Sequence, residues 1–304
     1  MLFSLSLVAA AASLLASTGA VPLVSPRAEA KSVLLGSPRY LFTFGDSYTT
    51  TQFDPKGVQP TPDNPLGNFG PPEQGWVYYI SSVYNASLTL SYNYARGGAT
   101  INQTIVPGNN QSFQMQAEQW FLPLAGKRPS YAQWAPSDSV AGIFIGINDV
   151  EDTFTSDEST FGPEIDVLQA SYFKIVTELY TSGLRNFFWF NLPPLQYSQS
   201  VIDMGAESVQ HWADYSTAYN AALEKHVTAF EAAHPDVTTY LFDNNAVWRD
   251  VLANPVSYGF KDNSTIGYYY DKTVMWGNGF HPSGAMHQIV ASRLAPALHA
   301  TFGL

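Results

Sequence analysis

The chain has 304 residues, 14 Lys and Arg against 25 Asp and Glu, no cysteine, and a net charge of −11 at pH 7. A nucleic-acid surface needs clustered cations to displace counterions; the longest basic run here is Lys127-Arg128, so nucleic acid is not an expected partner, and the absence of cysteine removes disulfides, thiolate metal sites and a cysteine nucleophile together. Charged residues make up only 13% against 45% hydrophobic, which implies a surface of Ser, Thr, Asn, Gln and Tyr around a large, aromatic-rich core.

Residues 2–20 carry no charge, include an apolar run from Leu5 to Leu15 and end in small residues at Thr18 and Ala20. This is the pattern of a secretory signal peptide, with cleavage expected after Ala20. The run is too short to span a bilayer, and stable membrane insertion is not expected. Residues 21–37 read as a leader. Residues 38–304 hold no Pro/Ser/Gly-rich linker or charge block and read as a single domain. Asn-x-Ser/Thr sequons at Asn85, Asn102, Asn110 and Asn263 agree with secretion, and glycans there would require surface loops.

The first β-type run is Tyr40–Phe44, followed by Gly45-Asp46-Ser47-Tyr48-Thr49. The second, Ala141–Ile147, leads into Asn148-Asp149. Ile165, Leu168, Tyr172, Ile175, Val176 and Leu179 then recur at helical spacing, before a third run at Asn186–Phe190 that leads into Asn191-Leu-Pro-Pro194. Val209, Trp212, Tyr215, Tyr219, Leu223, Val227 and Phe230 repeat the helical period, and a fourth run covers Thr238–Phe242. A last helix is expected over Ser283–Ala295, with Ser283 as its N-cap and Pro296 ending or kinking it. The runs are apolar on both faces, as buried parallel strands are. Their alternation with amphipathic helices predicts a three-layer α/β/α sandwich around a mainly parallel sheet.

Ligands of such sheets bind beyond the carboxyl ends of the strands, so the segments leaving the strands matter most. Taken alone, Ser47 reads as a helix cap. A nucleophilic serine needs a base and oxyanion donors, and the chain offers them: backbone N–H groups at Gly97-Gly98, the side-chain amide of Asn148 and the imidazole of His281.

The blocks Phe44-Gly45-Asp46-Ser47-Tyr48, Gly97-Gly98-Ala99, Gly146-Ile147-Asn148-Asp149 and His281-Pro282-Ser283, in this order, resemble the four blocks of GDSL, or SGNH, hydrolases. The longer string Phe44–Thr51, with the signal peptide and the acidic, aromatic composition, resembles secreted fungal acetylesterases of carbohydrate esterase family 16. The resemblance implies a flavodoxin-like fold and no cofactor. It implies Ser47 as nucleophile, an oxyanion hole made by the N–H groups of Ser47 and Gly98 with the Asn148 side chain, and His281 as general base. Where the family usually has an Asp three residues before this His, position 278 is Asn. Asn278, a backbone carbonyl or Asp271 could orient the ring.

The other residues invite plainer readings. His211, His226, His234, His287 and His299 show no close ligand pairing, so no metal is expected, and His287 is expected to face away on the last helix. Trp76 reads as core before sugar platform, Asp46 as a turn cap and Asp149 as a loop anchor. The expected activity is that of a monomeric secreted serine esterase acting on a small acylated saccharide or ester. A lipase or lysophospholipase and a catalytically weak glycan-binding relative are the alternatives, because fold does not settle substrate.

Overall fold

The computed structural model describes residues 38–69, 75–109, 111–154 and 158–304. The signal and leader expected at 1–20 and 21–37, and the sequon residue Asn110, lie outside them. Strands β1 (Arg39–Gly45), β2 (Thr89–Asn93), β3 (Ser139–Phe144), β4 (Asn186–Phe190) and β5 (Thr238–Phe242) pair in parallel in the order β2-β1-β3-β4-β5. The helices are α1 (Trp76–Ser82), α2 (Phe113–Met115, continued by a π-wound stretch Gln116–Phe121), α3 (Leu122–Lys127), α4 (Ile147–Thr153), α5 (Glu158–Thr181), α6 (Gln199–Ile202), α7 (Ala206–Ala233), α8 (Asn244–Ala253) and α9 (Gly284–Phe302).

Strand side chains alternate between faces, and the aromatic residues of β4 show the two helical layers directly. Phe188 and Phe190 meet Trp76 of α1, and Phe188 also meets Phe302 of α9. Phe187 and Trp189 meet Phe230 of α7, with Phe173 of α5 also against Trp189. Opposite Phe188 in the ladder stands Gly142. A Cβ at Gly142 would lie 2.3 Å from the Phe188 ring, so glycine is what allows the ring to lie across β3.

The sequence pattern locates β4 and β5 to the residue and the buried positions of α5 and the later turns of α7. It misses β2. Thr89-Leu-Ser-Tyr-Asn93 alternates polar and apolar residues, yet all five are buried, because this outer strand is covered on both faces. The outer strand β5 departs the other way, with only Phe242 buried. The second run was expected to reach Ile147, but β3 stops at Phe144. Gly146 then takes φ +117°, a conformation favouring glycine, and Ile147 opens α4. Asn148 and Asp149 therefore sit on a helix rather than in a loop. Pro296 does not end α9, which runs on to Phe302 and is capped by left-handed Gly303; Leu298 and Phe302 stay buried beyond the proline. Trp76 is fully buried at the start of α1, its Nε1–H donating to Thr49 Oγ1 at 3.2 Å, so it is a core residue and not a sugar platform.

The chain leaves β1 towards β2 on one side and enters β3 on the other, so the strand order reverses between β1 and β3. In doubly wound sheets this reversal opens a crevice at the carboxyl edge. Ser47 follows β1 and Asn148 follows β3, one on each side of it.

Candidate active site

Ser47 sits at the apex of a turn that Asp46 organises. The Asp46 side chain accepts the Tyr48 N–H at 2.9 Å, and its backbone carbonyl accepts from Thr49 and Thr50 at 3.1 and 3.0 Å. Gly45 precedes the turn at φ +155°, where a Cβ would stand 2.2 Å from the Phe144 carbonyl oxygen. Gln116 clamps this glycine, accepting its N–H at 2.9 Å and donating to its carbonyl at 2.8 Å. Nothing in the sequence marks Gln116 for this task, since the contact spans 71 positions.

From the far end of the chain, His281 brings Nε2 to 2.8 Å from Ser47 Oγ. Its Nδ1 lies 3.2 Å from Asn278 Oδ1, which also accepts the backbone N–H groups of Phe280 and His281 at 2.8 and 2.7 Å. Two backbone donors identify that amide atom as the oxygen, which can only accept. Nδ1 therefore carries the ring proton, and the Nε2 lone pair faces the serine hydroxyl. Burial lowers the pKa of His281, which keeps the ring neutral and able to accept a proton. Asp271 makes no hydrogen bond to the ring: its Oδ1 accepts from the Thr273 N–H and hydroxyl at 2.9 and 2.6 Å, and its Oδ2 lies 3.9 Å from Lys261.

Tyr48 supports the histidine loop. Its hydroxyl donates to the Phe280 carbonyl, and its ring lies 5.4 Å from the His281 ring. His287, expected to face away, instead packs inward with its ring 6.4 Å from Tyr48, and burial followed by the neighbouring His281 pushes its pKa down to about 3.

The third block completes the cluster. Gly97 lies against the serine, and a Cβ there would be 3.9 Å from Ser47 Cβ. Gly98 takes φ +71°, and the N–H groups of Gly98 and Ser47 have no acceptor among the described residues. Asn148 uses one Nδ2 hydrogen on the Ala99 carbonyl at 2.8 Å and keeps the other. Asp149 pins the same loop by accepting the Ile101 N–H with both oxygens at 3.1 and 3.0 Å. Burial raises the carboxyl pKa of Asp149 to about 7 and that of Asp46 to about 8, so near pH 7 the Asp46 carboxyl is mostly protonated and the Asp149 carboxyl is about half ionised. A hydroxyl beside a neutral imidazole and unpartnered N–H groups can carry out nucleophilic acyl transfer.

The described sequon asparagines lie outside this network. The Nδ2 groups of Asn85, Asn102 and Asn263 donate to Ser87 O, Ser171 Oγ and Leu252 O at 2.7, 3.1 and 3.0 Å. Among the described residues, no group of three or more His, Asp or Glu could hold a metal ion, and no helix is long and apolar enough to cross a membrane.

Residues 41–294 match the family model described as GDSL-like Lipase/Acylhydrolase. An acetylesterase of Thermothelomyces thermophilus is 34% identical over 276 residues, covering 88% of this chain and 90% of the relative. An acetylesterase of Hypocrea jecorina is 23% identical, with 84% and 86% covered. Among solved structures, a putative GDSL-like lipase of Parabacteroides merdae superposes with a TM-score of 0.51 at 15% identity, covering 85% of this chain and 94% of that one.

Proposed function

Because the chain belongs to the GDSL-like lipase/acylhydrolase family and is a carboxylic ester hydrolase, we propose that it removes short acyl groups, chiefly acetyl, from saccharides. Ser47 Oγ attacks the ester carbonyl carbon while its proton passes to His281 Nε2. The oxyanion accepts hydrogen bonds from the Ser47 and Gly98 N–H groups and the second Nδ2 hydrogen of Asn148. As the carbon–oxygen ester bond breaks, His281 returns the proton to the leaving alcohol. Water, deprotonated by the same ring, then attacks the serine ester, and the ring passes that proton to Ser47 Oγ as the acyl–oxygen bond breaks and the acid leaves. Asn278 holds the tautomer that this sequence requires.

The observation that carries the reading is the 2.8 Å contact from His281 Nε2 to Ser47 Oγ beside unpartnered N–H groups. The acetyl preference is supported by the two fungal relatives named acetylesterases. A saccharide acceptor is supported by Tyr268 and Tyr270, 84% and 54% exposed on the segment leading into the Asn278–His281 loop; such faces suit sugar rings. Secretion through residues 2–20 belongs to the same proposal.

The test is hydrolysis of p-nitrophenyl acetate against the palmitate ester and acetylated xylo-oligosaccharides, with phosphonate labelling mapped by mass spectrometry. The expected results are a phosphonate on Ser47, the acetate ester preferred, and a loss of about 10⁴-fold or more in kcat for Ser47→Ala without loss of fold. A preference for palmitate would replace the saccharide reading with a lipid one. An unlabelled Ser47 would leave a glycan-binding relative.

A further inference from the structure

On the side of the sheet that carries β2 lies a groove of about 150 Å³ that the chemistry above does not use. Its floor is Tyr94, 1% exposed, whose hydroxyl is buried without a hydrogen-bond partner. A buried unpaired hydroxyl costs stability unless something satisfies it. Burial also holds the Tyr94 phenol far above its ordinary pKa, so it is a permanent neutral donor and acceptor.

Trp120, half-buried, and Tyr131, 44% exposed, supply aromatic faces, and Pro123 adds an apolar ring. Trp120 stands on the π-wound stretch Gln116–Phe121, directly before fully buried Phe121. Such windings are rare and recur at functional sites. Gln59 and Lys127 are the polar groups of the rim. The Gln59 amide nitrogen donates to both Pro55 O and Gly57 O at 2.9 Å, which fixes the amide and leaves its oxygen as a set acceptor. Lys127 has no ion-pair partner among the described residues and is free to donate.

Ligand sites of this kind combine apolar faces with a few fixed polar groups, and those for drug-sized ligands span about 300–1,000 Å³. At about half the lower bound, this groove admits one small ring. A pyranose fits the lining: its C–H face lies on aromatic rings, and its edge hydroxyls meet a phenol, an amide oxygen and an ammonium. We propose that the groove is a glycan-binding site, separate from the Ser47 centre, that holds one sugar unit of a polysaccharide chain. The assignment is independent of the roles given to Ser47 and His281.

The test is affinity electrophoresis in gels containing soluble deacetylated xylan, which offers the esterase nothing to hydrolyse, alongside p-nitrophenyl acetate kinetics. The expected result is retardation of the parent, weakened about tenfold in Trp120→Ala and about threefold in Tyr94→Phe and in Lys127→Ala, with acetate-ester kcat/KM unchanged in all three. Tyr94→Phe removes only an unpartnered hydroxyl and keeps the fold, so the test survives if Trp120→Ala is unstable. A parent that migrates freely through xylan, glucomannan and hydroxyethylcellulose overturns the proposal. So does retardation that all three variants retain, or a groove that binds a polyproline peptide and no glycan. A parent that xylan retards but that hydrolyses no p-nitrophenyl acetate would count against the reading of Ser47 alone.

Discussion

Replacing Asn278 by Asp inserts the carboxylate that the histidine lacks at almost no steric cost. The Oδ1 that accepts the N–H groups of Phe280 and His281 is retained, so the loop keeps its geometry. What changes is a negative charge 3.2 Å from Nδ1. At that distance a unit charge pair is worth about 1.3 kcal/mol in a water-like dielectric, close to one pKa unit, and about four times that at an effective dielectric of about 20. His281 is half-buried, so the shift should fall between these limits, at about one to two units upward. The ring must be neutral to take the Ser47 proton. Raising its pKa therefore moves the acidic limb of kcat/KM to higher pH by the same one to two units. The plateau kcat should rise, because the imidazolium formed during attack gains a charged partner. The assay is a pH–rate profile from about pH 4 to 9 on p-nitrophenyl acetate for the parent, Asn278→Asp and Asp271→Asn. Asp271 is held by Thr273 and faces Lys261, so its variant should leave the limb in place. An unmoved limb in Asn278→Asp, with activity collapsing in Asp271→Asn, would refute the orienting role of Asn278.

Asn148→Ala should lower kcat by about 10² to 10³ with KM little changed, and because its amide also ties the Ala99 carbonyl the loss should lie at the upper end; steady-state kinetics showing only a raised KM would contradict an oxyanion role. Gly146→Ala would place a Cβ 2.3 Å from the Tyr219 hydroxyl at φ +117°, so urea unfolding should show destabilisation of about 2 kcal/mol or more. His287 is neutral in the folded protein down to pH about 3 but titrates near pH 6.5 when unfolded. The unfolded chain thus binds the extra proton, and the stability that His287 supplies is complete above pH 6.5 and lost as pH falls towards 3. By pH 4.5 that loss is roughly 2 to 3 kcal/mol, and His287→Gln should show a correspondingly shallower fall in denaturant midpoint between pH 7 and 4.5. Asp46 and Asp149, whose folded pKa values are raised, act in the opposite sense and contribute equally in both proteins.

Local patterns in the chain are enough to place most of the scaffold. An apolar run such as Asn186–Phe190 has one stable use, as a strand covered on both faces, and a heptad-like series such as Ile165 to Leu179 has one as well, as a helix with one buried face. The same holds for the choice of Ser47, Gly98, Asn148 and His281 as chemical candidates, since their side chains or flanking glycines limit what they can do. Strand β2 escaped because polar Thr89, Ser91 and Asn93 carry no sign that a helix and neighbouring loops will cover them. The functional pairings escaped for a related reason: Ser47 and His281 are 234 positions apart, and only the closing of α9 against α1 and the hold of Tyr48 on Phe280 bring them to hydrogen-bond distance. The sequence left three possible partners for the His281 ring. Tertiary packing decided among them by spending Asp271 on Thr273 and aiming two backbone N–H groups at Asn278 Oδ1. Residue types and spacings set which groups can react and which elements form. Distances between remote segments, the tautomer of a ring and the orphaning of an N–H depend on how the layers close, and those belong to the folded molecule alone.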